Sequence, residues 1–424
     1  MISTKFLQTV EKSATLLINE QSRIRESSGQ SIIKFGFGQS PFLPPAFVVD
    51  ALKQEAARKE YAPVQGLETL RKSVATFHNQ VNGLSCSAAD VLIAPGSKIL
   101  IFNILACFKQ LDVFIPGPSW VSYQPQAELL NHRVFRLNTS FEKRWRVLPE
   151  DLDKAFSKKT DPSVPTVLML NFPGNPDGLT YRADELKSLA ETAKRLNIIV
   201  IADEIYGLLD HYDQHISLAI YYPEGTITTT GLSKWCGAGG WRIGAAIVPP
   251  ELGVDFKETL LGIASETYSC APTPMQLAAI EAYNWKAETA DYLTKQRAIL
   301  RGIGNYCFER LTVMGVRLHA PEGGFYLFPD FEAFADKFKA KGLLTATDMC
   351  SAMLTDVGVA LLPSGSFGLS DTYFAARLAY VDFVPTYNSE NSVDVLSAYF
   401  VLERDAPRIV EGMDRMEKWL AALA

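Results

Sequence analysis

The chain has 424 residues, 47% of them hydrophobic and 21% charged, which is the balance of a globular protein with material for a large core and about two to three domains. A net charge of −6 argues against a nucleic-acid partner, which needs a basic face. The six cysteines (Cys86, Cys107, Cys236, Cys270, Cys307 and Cys350) form no CxxC pair, so zinc and redox motifs are not expected. Scattered single cysteines fit a reducing compartment. The N-terminus lacks the apolar core of a signal peptide, and no stretch reaches the roughly 18 apolar residues of a membrane span. The expectation is a cytoplasmic protein with no membrane partner.

In chain order, the spacing of apolar positions predicts a helix over Thr15 to Glu26, ended by Ser27-Ser28-Gly29. Ile32 to Phe37 reads as a short strand. Gly38 to Pro45, broken by glycine and proline, reads as a linker. Helix Ser97 to Gln110 follows Ala94-Pro95-Gly96, and strand Asp112 to Ile115 ends at Pro116-Gly117-Pro118. Val164 to Leu170 is a buried-type strand, and Asn171 to Gly178 breaks it. Helix Asp184 to Leu196 then leads into strand Ile198 to Ala202. Such alternation implies a mostly parallel sheet with helices on its faces, and ligands of such sheets lie at the carboxyl ends of the strands.

The β-branched run Thr226 to Thr230 and the apolar run Ile243 to Val248 flank a loop too short for a helical crossover, so that pair is expected to be antiparallel and the sheet mixed. Long helices are predicted over Met275 to Glu309. The tail reads as α+β: strand Gly324 to Phe328, helix Ala346 to Val357, strand Phe374 to Val381 and a last helix near Ala406 to Leu420. The expected architecture is a large α/β domain over 46–294, with a mixed, mostly parallel sheet of the seven-stranded type. A smaller α+β domain takes 1–45 and 295–424.

The loop in the antiparallel pair reads Gly231-Leu232-Ser233-Lys234, then Trp235 to Gly240, then Trp241-Arg242-Ile243-Gly244. A lysine held in such a place can form a Schiff base with an aldehyde, and an arginine beside it can hold a phosphate. Pyridoxal 5'-phosphate carries both groups.

Four further stretches stand in order along the chain: Tyr61-Ala62-Pro63-Val64-Gln65-Gly66, Gly96-Ser97-Lys98, Gly117-Pro118-Ser119-Trp120, and Asn175 with Asp203 and Tyr206. Arg377 stands in Arg377-Leu378-Ala379-Tyr380 after Phe367-Gly368. With Ser233-Lys234 and Gly240-Trp241-Arg242-Ile243-Gly244, this set resembles the fold-type I, pyridoxal-phosphate-dependent aminotransferases of class I/II, the aspartate aminotransferase-like family. The resemblance runs from about Ile32 to Val381 and rests on several motifs in order, each weak alone. The departures are local: Trp235 and Cys236 beside the lysine, and Pro363-Ser364-Gly365-Ser366 before Phe367-Gly368.

The resemblance implies a transaminase that moves the amino group of an L-amino acid to a 2-oxo acid in a ping-pong cycle. Lys234 would be the Schiff-base former and proton carrier. Gly96, Ser97, Lys98, Ser233 and Arg242 would hold the cofactor phosphate. Asp203 would pair with the ring nitrogen, Trp120 would stack on the ring, and Tyr206 and Asn175 would reach its phenolic oxygen. Arg377, with Asn175 and Gly38, would grip the substrate α-carboxylate, and Tyr61 would reach the phosphate of the neighbouring subunit in a homodimer with shared active sites. The resemblance also admits cis bonds before Pro118 and Pro176.

Singly, these residues have plainer readings: Asp203 as a helix cap, Arg377 as a strand-edge ion pair, Trp120 as core, Tyr61 as a buried loop tyrosine. No metal is expected, since His211 and His215 lie in a predicted loop with no zincin glutamate.

On substrate, Lys98 in a first helical turn gains from a nearby anion. That anion is either the cofactor phosphate or the distal carboxylate of aspartate or glutamate. Phe35, Phe37 and Tyr268 could instead line an apolar pocket, and Glu266 to Ser269 offers no arginine. Aspartate or a related dicarboxylic amino acid with 2-oxoglutarate leads over aromatic or aliphatic donors. A lyase of the aminocyclopropane-carboxylate synthase kind shares most of these motifs. A non-enzymatic regulator would need a DNA-binding domain ahead of a fold preceded by about 35 residues.

Overall fold

The computed structural model describes residues 10–384 and 401–423. Seven strands form the central sheet: β1 (Val91–Ala94), β2 (Asp112–Gly117), β3 (Arg133–Asn138), β4 (Thr166–Asn171), β5 (Ile198–Asp203), β6 (Thr226–Gly231) and β7 (Gly244–Ile247), in the order β1-β7-β6-β5-β4-β2-β3. β2 to β6 pair in parallel, and β7 runs against both β6 and β1. The expected mixed sheet and the antiparallel pair around Lys234 are both present.

Strand alternation explains why the sheet carries helices on both faces. Val167 and Met169 of β4 join one core with Val113, Ile115 and Ile201, beneath helices Ser97–Ala106 and Val254–Thr267. Leu168 and Leu170 join the opposite core with Phe114, Val200 and Ala202, beneath helices Pro149–Phe156 and Ala183–Arg195. Central strands buried on two faces read as continuous apolar runs, as β4 and β5 do.

A second sheet of three antiparallel strands, β8 (Tyr326–Leu327), β9 (Leu362–Pro363) and β10 (Ala376–Ala379), has β10 in its centre. It packs with helix Ala346–Val357 and helix Pro407–Ala421. Tail elements thus fall where the sequence predicts them, with shorter strands.

Three expectations need correction. Ile32 to Phe37 is not a strand. Ile33 makes one parallel bridge to Val359, and the next amide, Lys34 N–H, donates to Asp382 Oδ2 at 2.7 Å instead of to a ladder. The helix from Ser97 ends at Ala106, because Cys107 and Phe108 donate to the carbonyls three residues back and tighten the last turn. Met275 to Glu309 carries helices as predicted, Thr273–Ala282 and Ala287–Val313. The bond before Pro118 is cis as expected, but the second cis bond precedes Pro173 and not Pro176. Among the described residues no helix is long and apolar enough to cross a membrane.

Candidate active site

β1, β2, β4, β5 and β6 all point their carboxyl ends at one edge of the sheet, where Ala94, Gly117, Asn171, Asp203 and Gly231 stand. A cleft of about 490 Å³ opens there, closed from the other side by Tyr326 of β8 and Arg377 of β10. Among the described residues lining it, Asp203 is the one carboxylate, while Lys98, Lys234, Arg242 and Arg377 are cations.

Asp203 is buried at the end of β5. Tyr123 Oη donates to its Oδ2 at 2.7 Å and Thr229 Oγ1 to its Oδ1 at 3.2 Å. Burial nevertheless pushes the carboxyl up to about 6, because desolvation outweighs these bonds. Asn171, one strand over, donates from Nδ2 to the Asp203 carbonyl at 2.6 Å and accepts the Asn175 amide at 2.8 Å. One side chain therefore ties the ends of β4 and β5 together and fixes the loop that carries Asn175.

Arg377 is fully buried in β10. Its Nη1 donates to Asn175 Oδ1 at 3.0 Å and its Nη2 to the Gly36 carbonyl at 2.7 Å. Nε has no partner, and no aspartate or glutamate among the described residues pairs with the guanidinium. The rings of Tyr326 and Phe367 sit 4.8 and 5.2 Å from its centre. Burial lowers its pKa. A buried guanidinium without a counter-ion is costly, and a carboxylate entering the cleft is the complement to its planar fork. The strand-edge ion pair is thereby ruled out.

Lys234 lies three residues past β6. Its Nζ donates to the Gly38 carbonyl at 2.8 Å and sits 5.4 Å from the ring centres of Tyr206 and Phe325. Burial lowers the ammonium, which favours the neutral amine. A side chain at Gly38 would displace Tyr326 from its place: a Cβ would lie 2.0 Å from Tyr326 Oη. Tyr206, buried, shares a 2.9 Å hydrogen bond with that hydroxyl, and burial raises its own pKa well above the usual phenol value.

At the far end Gly96 caps helix Ser97–Ala106 with φ 94°. A Cβ on Gly96 would lie 2.1 Å from Arg242 Nη2, so only glycine lets the guanidinium reach the Pro95 carbonyl at 3.1 Å. Arg242 itself holds left-handed backbone, φ 57°, the kind of strain that gathers at functional sites. The Lys98 ammonium sits 5.1 Å over the Trp120 ring, and burial first, then Arg242, lowers its pKa. Free helix-start amides, Ser233, Arg242 and Lys98 make a site for an anion. The glycine-cleared cradle, the partnerless Arg377 Nε and the one buried carboxylate fit a ligand with an anion at each end and a basic ring nitrogen between.

The cleft therefore gathers Gly38, Ser97, Lys98, Trp120, Asn175, Asp203, Tyr206, Ser233, Lys234, Arg242 and Arg377, with Gly96 behind them. Tyr61 is not among them. It is 91% exposed, so it is not a buried loop tyrosine. Of the proposed apolar lining, Phe37 is present, but Phe35 is core and Tyr268 packs on the helix side of the sheet. His215 Nε2 faces Glu204 at 3.0 Å, and both ring nitrogens of His211 meet carbonyls. Trp235 and Cys236 turn into the core, where Trp235 stacks on Phe77. Tyr123, Asn171, Thr229 and Tyr326 are site residues without a sharp sequence signal. So are Ser13, Thr15 and Leu16, which line the mouth.

The family model for aminotransferase class I and II matches residues 30–380. An aspartate aminotransferase of Bacillus sp. strain YM-2 is 29% identical over 382 residues, covering 88% of this chain and 93% of its own. That of Geobacillus stearothermophilus is 29% identical over 385 residues, covering 89% and 93%. Among solved structures, the aspartate aminotransferase from Thermus thermophilus with maleate superposes with a TM-score of 0.82 at 24% identity, over 97% of this chain and 100% of that one.

Proposed function

We propose, from the premise that this chain belongs to the aminotransferase class I and II family, that its donor is aspartate or a related dicarboxylic amino acid and its acceptor 2-oxoglutarate. The relatives named above are aspartate aminotransferases. The observation that carries the reading is the convergence of Lys98, Arg242 and Arg377 on a cleft in which, among the described residues, Asp203 is the sole carboxylate.

Members of this family use pyridoxal 5'-phosphate, which when bound supplies an aldehyde for an amine and a ring that accepts the electron pair left at the substrate α-carbon. The chain's residues would do the rest. Gly96, Ser97, Ser233 and Arg242 would hold the phosphate, and Trp120 would cover the ring. Asp203 would keep a proton on the ring nitrogen, and Tyr206 and Asn175 would offer hydrogen bonds at the ring's oxygen. Arg377 would orient the substrate by its α-carboxylate. The Lys234 amine, its pKa lowered by burial, would take the proton from the α-carbon and return it. The donor's 2-oxo acid would leave before the acceptor enters, a ping-pong order.

A cytoplasmic homodimer belongs to the same reading. Six free cysteines fit a reducing compartment, and the exposed Tyr61 is free to reach a second subunit. The division into 46–294 and 1–45 with 295–424 places one sheet in each part, with the cleft between.

The test is a half-reaction screen of all amino acids, followed by cofactor absorbance, on wild type and Lys98→Met. Aspartate or glutamate should react fastest, and the variant should lose about 10- to 100-fold in kcat/KM for them with phenylalanine little changed. Equal losses for every donor, alongside weaker cofactor binding, would assign Lys98 to the phosphate alone. Consumption of S-adenosylmethionine without a 2-oxo acid product would favour the lyase.

A further inference from the structure

We propose that Tyr326 is a positioning residue that sets both the hydroxyl of Tyr206 and the guanidinium of Arg377, through two different parts of one side chain. This rests on the reading that Tyr206 serves the cofactor and Arg377 the substrate carboxylate.

Tyr326 comes from β8 of the small sheet, whereas Tyr206 follows β5 of the large one. Their hydroxyls meet at 2.9 Å in a buried setting. Either can donate. If Tyr206 spends its proton on the cleft, its oxygen must accept, and Tyr326 Oη is the donor at hand. A hydroxyl that accepts such a bond also donates more strongly. The same Tyr326 ring lies 4.8 Å from the Arg377 guanidinium centre, with Phe367 at 5.2 Å on another side. Arg377 lacks a carboxylate partner among the described residues, so these faces, with Asn175 and the Gly36 carbonyl, decide where the fork points. Gly38 completes the arrangement: its missing side chain leaves the space that Tyr326 Oη occupies, and its carbonyl receives Lys234. One residue thus touches the neighbourhoods of proton carrier, ring oxygen and carboxylate grip.

The two roles separate by substitution. Tyr326→Phe keeps the ring and deletes the hydroxyl, so kcat should fall about tenfold, the worth of one buried hydrogen bond, with KM for both substrates within about twofold. The pH midpoint of the bound cofactor's absorbance change should move as well, because Tyr206 donates less strongly. Tyr326→Leu removes the ring too, and KM for amino and 2-oxo acids should rise about tenfold on top, from the lost cation–π contact. Binding of a non-reacting dicarboxylate to cofactor-loaded protein, measured by spectral titration, should weaken in the Leu variant and not in the Phe variant.

Unmoved kcat and midpoint in Tyr326→Phe, or unmoved dicarboxylate affinity in Tyr326→Leu, would overturn the proposal. So would a loss of thermal stability with kcat and KM changing in the same proportion in both variants, the mark of a merely structural residue. Wild type run alongside separates this from the parent reading. If wild type shows neither the cofactor absorbance nor amino transfer, the site assignment itself fails.

Discussion

Replacing Asp203 by asparagine should make the cofactor-free protein more stable and the enzyme nearly inactive, and the first effect should depend on pH in a defined direction. Burial raises this carboxyl from 3.8 to about 6 in the folded chain. Between those values the native state holds a proton that the unfolded chain has released. Stability therefore falls as pH rises through the window, and the cost is complete above it. Two pKa units correspond to about 3 kcal/mol. Asparagine stays neutral throughout and is isosteric, so it escapes this cost. For a chain of 424 residues the entropy of unfolding is about 0.9 kcal/mol/K, so the melting midpoint of Asp203→Asn should exceed that of wild type by roughly 3 °C at pH 8. At pH 4.5 the gap should shrink to about 1 °C, where most of the carboxyl is protonated in the native state. Adding pyridoxal 5'-phosphate should reverse the ranking, since an ionised Asp203 then gains a counter-charge, and turnover of the variant should be lower by at least about a hundredfold. Equal midpoints at pH 8, or a gap that widens toward low pH, would refute the reasoning.

Lys234→Ala should abolish the absorbance of lysine-bound cofactor and lower turnover by more than about a thousandfold, the range of a lost general base; retention of both would sink the assignment. Arg377→Lys should raise KM for donor and acceptor by about 10- to 100-fold, because an ammonium cannot copy the bidentate fork, and steady-state kinetics read this directly. Gly96→Ala should weaken cofactor binding by at least about tenfold, since the new Cβ meets Arg242 and the backbone is left-handed; fluorescence titration of the cofactor-free protein checks it, with circular dichroism showing the fold retained.

Residues placed by a single strand end were legible from the chain. Asp203 closes β5, Lys234 follows β6, and Gly96 sits between β1 and a helix. In each case an apolar or β-branched run followed by punctuation marks the carboxyl edge, where ligands bind. Contacts between the two sheets were not legible. Tyr326 and Tyr206 are separated by 120 positions, and no local pattern records that β8 will approach the end of β5. Tyr123 opens a helix and its hydroxyl serves Asp203, an outcome set by how that helix start packs over the sheet, which no local pattern records. Ile32 to Phe37 has strand-like composition because Ile32, Ile33 and Phe35 are core. The same composition suits a largely buried segment with one bridge at Ile33 and a turn at Phe35-Gly36, and composition alone does not distinguish the two. Edge strand β3 escaped for the opposite reason: only Leu137 of its six residues is buried, so it lacks the apolar run of its neighbours.

The charges in the cleft bear on the substrate more than any single residue does. Desolvation lowers Lys98, Lys234 and Arg377, although only Arg377 is fully buried while Lys234 is half-buried and Lys98, like Arg242, keeps a solvent-exposed side, and Arg242 lies close enough to push Lys98 further down. Lys234 must lose its charge to act as a base, and burial favours that. The other three gain only if anions arrive. A phosphate at the helix start would satisfy Arg242, and an α-carboxylate would satisfy Arg377. With an aromatic or aliphatic donor, Lys98 would keep only the Trp120 face and a share of the phosphate. With aspartate it would have a carboxylate of its own, which would offset the desolvation that now lowers it. This matching of three cations to three anionic groups is what favours a dicarboxylic donor, and it is why Lys98→Met should discriminate between donors instead of weakening all of them.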